Sequence, residues 1–366
     1  WRRARGRARE RTQLRIILKF TVLTMRVAAR RWLTTVTLLV LSLNGLACSR
    51  DRGTEIGVYS SRHYNSDQAL YDEFTRQTGI RVKLLESKGT SVIERLRNEG
   101  ADSPADVLIL ADAARLDRAS DLDLFKPVRS NALEQAIPTH LRDPDLRWFG
   151  LTRRLRVPMI HKGTLVPTQV DSYTKLASPE LKGQVCLRNR RSVYNQSLVA
   201  FMIDQIGAEE TASWIQGLTR NLAQPVFKTD VSMIRAVARG QCGVALSNTY
   251  YLARLQAGDV GRKDAELSRA VEVVWPQPDV QVNITGGGVT RHSRQDEAAV
   301  RFLEFLATTE FKGGYAAANH EYPLIGFGDD PVLASWGTFK ESQVSVARLG
   351  ELNREASDLM AANGWR

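Results

Sequence analysis

Apolar and polar positions change period several times along this chain. From residue 55 the run EIGVYS reads as a strand. SDQALYDEFTRQTG then spaces Leu70 and Phe74 one helical turn apart and stops at Gly79. IRVKLLE returns to a strand pattern, SVIERLRNEG is helical and ADVLILA is a third strand. The order β-α-β-α-β predicts a parallel sheet covered by helices, with ligands held beyond the carboxyl ends of its strands. A second α/β stretch follows the extended run WFGLTRRLRVPMIHK (148–162). It holds GQVCLRN, helical patterns at 196–206, 209–220 and 230–239, the strand GVALSN and a helix opened by NTYY. DVQVNITGGGVT (279–290) is a second extended run, and RQDEAAVRFLEFLATTE after it is an amphipathic helix. Two extended crossovers around a complete α/β unit predict two lobes joined by a two-stranded hinge. The expected N-terminal lobe is 54–150 with 280–325, and the C-terminal lobe is 151–279 with 326–366.

Composition changes the picture at one end only. The 366 residues are 43% hydrophobic and 25% charged, as in a folded protein, and carry a formal charge of +11. Residues 1–47 hold 11 of the basic residues and one acidic residue, which leaves 40 basic against 39 acidic residues beyond Ala47. A near-neutral body gives no footprint for nucleic acid. MRVAARRW from Met25 is positive, LTTVTLLVLSLNGLA (33–47) is apolar but shorter than a membrane span, and Cys48 follows. Together they predict an export signal, with an arginine-rich upstream extension before Met25. GLAC resembles a lipoprotein box with an atypical Gly45, which would lipidate Cys48; Arg30-Arg31 before Trp32-Leu33 resembles a twin-arginine signal. Either route predicts a bacterial extracytoplasmic protein, in the periplasm. In that oxidising compartment the two remaining cysteines, Cys186 and Cys242, are expected to form a disulfide, the alternative being two buried thiols.

Catalytic motifs are absent: there is no G-x-S-x-G, no G-x-x-x-x-G-K-[ST], no H-E-x-x-H and no C-x-x-C, and the five histidines lack ligand spacing. TGGGV (285–289) lacks dinucleotide-loop spacing and reads as a flexible or closely packed hinge. Phenol is what concentrates. His63 and Tyr64 follow the first strand, Tyr194 precedes a helix, and Tyr250 and Tyr251 follow GVALSN. Each is a strand-to-helix transition, where an α/β sheet holds ligands. Phenolate is a hard anionic oxygen donor suited to a hard trivalent ion such as Fe(III), and Arg254, at i+4 and i+3 from the pair, shares their helix face. Taken singly, each tyrosine also fits a core or rim position. Adjacent helical residues diverge by about 100°, so only a helix N-terminus lets Tyr250 and Tyr251 turn to one point.

The runs VYSSRHYNSDQALYDEFTRQTGI, SPADVLILADAARL, RDPDLRWFGLTRRLRV, LKGQVCLRN, VYNQSLVAFMI and SNTYYLARL are long and collinear, and with them the chain resembles the ferric-iron-binding subunits of bacterial iron ABC importers, of the cyanobacterial FutA type. The resemblance implies a type II periplasmic-binding-protein clamshell and Fe(III) ligands at Tyr64, Tyr194, Tyr250 and Tyr251, with His63 beside them. It places the site arginines at Arg254 and at Arg154, with Arg156 a close competitor. Arg190 and Arg191 stand where the family carries small polar residues, and KTDVSM replaces a more acidic loop. Arg191 is therefore expected either to favour a carbonate or citrate anion on the metal or to lie on the surface. The implied function is a monomeric, non-enzymatic carrier of Fe(III), or of Fe(II), that serves an inner-membrane permease. Two alternatives stay open at this point: a binder of a small anion or organic solute in the same fold, and an extracytoplasmic hydrolase.

Overall fold

Strand β1 (Glu55–Ser60) pairs in parallel with β2 (Arg81–Glu86) on one side and with β3 (Val107–Ala111) on the other. The computed structural model describes residues 54–62, 67–87 and 89–366. The export signal, Cys48, His63 and Tyr64 lie outside the described residues. β3 is buried at every position because it lies inside the sheet. β2 forms the sheet edge, and its exposed Arg81, Lys83 and Glu86 keep that edge in water. Helix Gln68–Thr78 links β1 to β2 and turns Leu70, Tyr71 and Phe74 inward. It stops at Gly79, whose φ of 73° brings its N–H onto Thr75 O. Phe74 meets Phe302 of helix Asp296–Thr308 edge-on, with ring centroids 5.0 Å apart.

The remaining strands are β4 (Phe149–His161), β5 (Val185–Cys186), β6 (Val244–Asn248), β7 (Val271–Val273) and β8 (Val282–Val289). The hydrogen-bonded order is β2-β1-β3-β8-β4-β6-β5, with β7 also on β4. β4 decides the architecture. Phe149 to Leu155 pair antiparallel with β8, which pairs with β3, while Arg156 to Ile160 pair with β6. One strand therefore serves two sheets and changes partner between Leu155 and Arg156. β4 and β8 are the two extended crossovers of the sequence, and the fold is an α/β clamshell of two lobes.

The glycines of β8 serve close packing. Gly286, Gly287 and Gly288 are absent from the positive-φ glycines. A Cβ on Gly288 would lie 2.2 Å from Arg147 O, and one on Gly286 2.8 Å from Leu116 Cδ1. In the second lobe the helical patterns become Val193–Ile206, Ala208–Arg220, Asp230–Ala238 and Thr249–Ala257. The C-terminal helices, for which the periodicity gave no assignment, touch both lobes. Gly350 of helix Val346–Glu351 lies against Asp117 of helix Ala113–Asp121, and helix Asn353–Ala362 packs on Val193–Ile206. The Trp365 indole donates to Arg188 O at 2.8 Å and stands edge-on to Trp214, which fixes the segment leading to Tyr194.

Cys186 at the end of β5 and Cys242 just before β6 are joined by a disulfide across 56 residues of chain. Loop-closure entropy for a loop of that length contributes about 4 kcal/mol to stability. Converting both cysteines to serine is expected to lower the unfolding free energy by up to about 4 kcal/mol in urea titrations. A loss below about 1 kcal/mol would mean that the closed loop does not constrain the unfolded chain as that entropy predicts.

Candidate metal site

Tyr250 and Tyr251 are the second and third residues of helix Thr249–Ala257, directly after β6. At that helix N-terminus both rings turn the same way, with centroids 4.2 Å apart and planes tilted by 37°. Tyr250 is fully buried and Tyr251 half-buried. Tyr194 starts the neighbouring helix Val193–Ile206, so two helix N-termini of the second lobe bring three phenols together. The cation among them comes from β4. Arg154 lies over the Tyr250 ring at 4.5 Å and over Tyr194 at 5.2 Å, and Arg188 approaches Tyr194 at 5.6 Å. Such contacts are worth up to about 2 kcal/mol when desolvated.

The charges act on the phenol. Burial opposes ionisation of Tyr194 most strongly, but the Arg154 and Arg115 guanidinium groups and the neighbouring Tyr250 hydroxyl outweigh it. The phenol is brought down to about 8 against the repulsion of Asp112. A phenol so lowered gives up its proton to a metal more readily than a free one near ~10. Among the described residues no group of three or more His, Cys, Asp and Glu could hold a metal. The oxygen-rich donors gathered here are phenols, and hard oxygen donors suit a hard ion.

Behind the cation lies a buried chain of alternating charge. Arg154 Nε is 3.3 Å from Glu321 Oε1. Glu321 also meets Arg62 Nη1 at 2.9 Å and accepts from Asn319, Thr285 and Thr152. Burial opposes ionisation of Glu321, yet Arg62 and Arg154 hold its carboxyl below the usual range. Arg62 Nε is 2.8 Å from Asp67 Oδ2, so the residues on either side of 63–66 are paired with each other. On the second-lobe side, Asp230 is buried between Arg156, at 2.8 Å, and Arg188. Asp112 follows β3 with φ 94° and ψ 139°, a conformation that costs a residue with a side chain about 1–3 kcal/mol.

The structure therefore gathers Tyr194, Tyr250, Tyr251 and Arg154. Arg156 is turned to Asp230, Asn248 Oδ1 and Leu246 O instead. Arg254 is partly exposed and lies 3.6 Å from Asp259 beyond its own helix. Arg191 is exposed, with its backbone N–H on Asn189 Oδ1. It takes the surface place that was one of its two expected positions, and in that segment Arg188 reaches a phenol. Arg188, Arg115, Asp112 and Glu321 were not legible as site residues. Only Arg188 had a local signal, its place next to Leu187 in the strand-like run GQVCLRN; Arg115, Asp112 and Glu321 had none.

A family model of bacterial extracellular solute-binding proteins matches residues 69–323. Iron uptake protein A1 of Synechocystis is 40% identical over 316 residues, covering 85% of this chain and 88% of the relative. The Fe(3+)-binding periplasmic protein of Serratia marcescens is 26% identical over 332 residues, 89% of this chain and 94% of its own. The solved structure of Trichodesmium FutA (IdiA), in complex with iron and citrate ligands, is similar at a TM-score of 0.82 and 40% identity. That match covers 85% of this chain and 100% of the other.

Replacing Arg154 by methionine removes a cation that holds the Tyr194 phenol down. In an ultraviolet phenolate titration of metal-free protein, the transition near pH 8 is expected to move up to or beyond the ordinary ~10. An unmoved transition would remove Arg154 as the cause. Native Tyr194 loses its proton at a lower pH than the unfolded chain does, so it contributes stability above the unfolded pKa, and that contribution is lost as pH falls through about 8. Between pH 8 and ~10 wild type should gain stability relative to Arg154→Met.

Proposed function

The chain belongs to the bacterial extracellular solute-binding proteins, and from that premise we propose that it is the periplasmic iron-binding component of an ABC importer. It captures Fe(III) between its lobes and hands it to an inner-membrane permease; it is a carrier, not an enzyme, and acts as a monomer. The observation that carries this reading is the meeting of Tyr194, Tyr250 and Tyr251 around the buried Arg154, in a chain 40% identical to an iron uptake protein. Tyr64, which lies between Arg62 and Asp67 in the chain, is the ligand we assign to the first lobe, with His63 preceding it.

The residues have separate tasks in this reading. The three second-lobe phenols ionise on the metal, and Arg154 and Arg188 offset the negative charge that accumulates. Arg154 also leaves a cationic wall for an anion, carbonate or citrate, that completes the metal's shell; citrate accompanies iron in the Trichodesmium structure. Ligands from both lobes give the metal more contacts in the closed state than in the open one, and this difference drives closure. Reduction to Fe(II) lowers the metal charge and protonation neutralises the phenolates, so both favour release. The lobes divide at the change of partner in β4 between Leu155 and Arg156. The lobes we assign, 54–150 with 280–325 and 151–279 with 326–366, place their boundary a few residues before that change, with helix Val346–Glu351 reaching back to the first. Export through the signal before Cys48 delivers the chain to the periplasm, by the lipidated or the twin-arginine route.

The experiment is a titration of the purified protein with ferric citrate, followed in the visible. A phenolate-to-iron charge-transfer band is expected in wild type, weakened or shifted in both Tyr250→Phe and Tyr251→Phe. Affinity should fall by more than the ~10–100-fold typical of residues that only support a ligand. Absence of the band, with no iron by elemental analysis, would overturn the reading.

A further inference from the structure

Asp112 has no part in the ligand set, yet three hydrogen bonds hold its carboxylate beside it. It is buried, and its carboxylate is engaged on every side. Oδ1 accepts from Ser197 Oγ at 2.7 Å and from Ala114 N at 3.0 Å, and Oδ2 accepts from Asn283 Nδ2 at 2.9 Å. The three donors come from three different parts of the molecule. Ala114 opens the helix that follows β3 in the first lobe. Asn283 is on the hinge strand β8, opposite Arg154 in register, and its Oδ1 also takes the Ala113 N–H at 2.8 Å. Ser197 is in the second lobe, on the helix Val193–Ile206, three residues beyond Tyr194 and on its side of the helix. Asp112, Asn283, Arg154 and Tyr194 line one narrow pocket.

We propose that Asp112 and Ser197 form a latch that closes the two lobes over the tyrosines, which makes Asp112 a positioning residue for Tyr194. This rests on the reading of the tyrosines as iron ligands. The bond runs from the first lobe to the helix that presents Tyr194, so opening about β4 and β8 must break it, whereas the bonds to Ala114 and Asn283 stay within the first lobe and the hinge. Closure therefore makes a charge-assisted hydrogen bond at the same time as it brings ligands from the two lobes together. A residue with a Cβ keeps φ near 94° only where its surroundings over-determine it. Here the two hydrogen bonds from Ala114 N and Asn283 Nδ2 aim the carboxylate at the place where Ser197 arrives.

Ser197→Ala removes the hydroxyl and leaves a good helix former; Asp112→Asn, isosteric, keeps an acceptor but loses its charge. Each variant and wild type are loaded with ferric citrate and chased with excess chelator. The visible band reports release, and X-ray scattering of the metal-free proteins gives the radius of gyration. Ser197→Ala is expected to release iron roughly tenfold faster, the worth of a hydrogen bond to a charged acceptor, with the band unmoved and the radius enlarged. Asp112→Asn should change in the same direction by a smaller factor. Release at the wild-type rate overturns the latch, and so does faster release with a shifted band, which would put Ser197 on the metal. If wild type takes up no iron, the tyrosine reading has failed and scattering alone decides: equal radii overturn the latch, and an enlarged variant upholds it.

Discussion

A guanidinium in the interior must be answered by charge, and the position of Arg154 governs the site around it. Leaving a buried ion unpaired costs several kcal/mol, so Arg154, 3% exposed, needs Glu321 on one side. On its other side it has the faces of Tyr194 and Tyr250. The dependence is mutual. The phenols are useful to a metal only as anions, and burial alone would keep them protonated. Arg154, with Arg115, makes the Tyr194 phenol ionisable, and the faces of Tyr194 and Tyr250 make the Arg154 cation tolerable.

The same logic extends outward as alternating charge. Asp67, Arg62, Glu321 and Arg154 run from the first lobe to the tyrosines, and Arg156, Asp230 and Arg188 approach from the second. Burial pushes Asp67 up to about 6 despite Arg62. Such networks are weak sources of net stability, because desolvation consumes most of the attraction. Their use here is geometric: each member fixes the rotamer of the next, and the last one faces the phenols.

The strand that carries Arg154 also serves both sheets. Rotation between lobes must pass through β4 and β8, so Arg154 lies where the lobes turn, and its contacts with second-lobe phenols depend on how they stand. The glycine run of β8 supports this by tight packing against Arg147 O and Leu116. β4 and β8 are the two strands that cross between the lobes.

By itself the sequence determined what neighbours along the chain determine. Periods of two and of 3.6 located the strands and most of the helices. Two long extended runs announced the crossovers, and a tyrosine pair at a helix start could bring both rings to one side, where the ring centroids of Tyr250 and Tyr251 stand 4.2 Å apart. Tertiary structure decided what periodicity leaves degenerate. Arg154 and Arg156 are two residues apart on one strand and so share a face. Only the change of pairing between them gives one to the phenols and the other to Asp230. Glu321 and Asp112 lie far from the tyrosines in the chain and join the site through strand order and helix packing. A local pattern carries burial and period, but the partner of a buried charge is chosen by the fold.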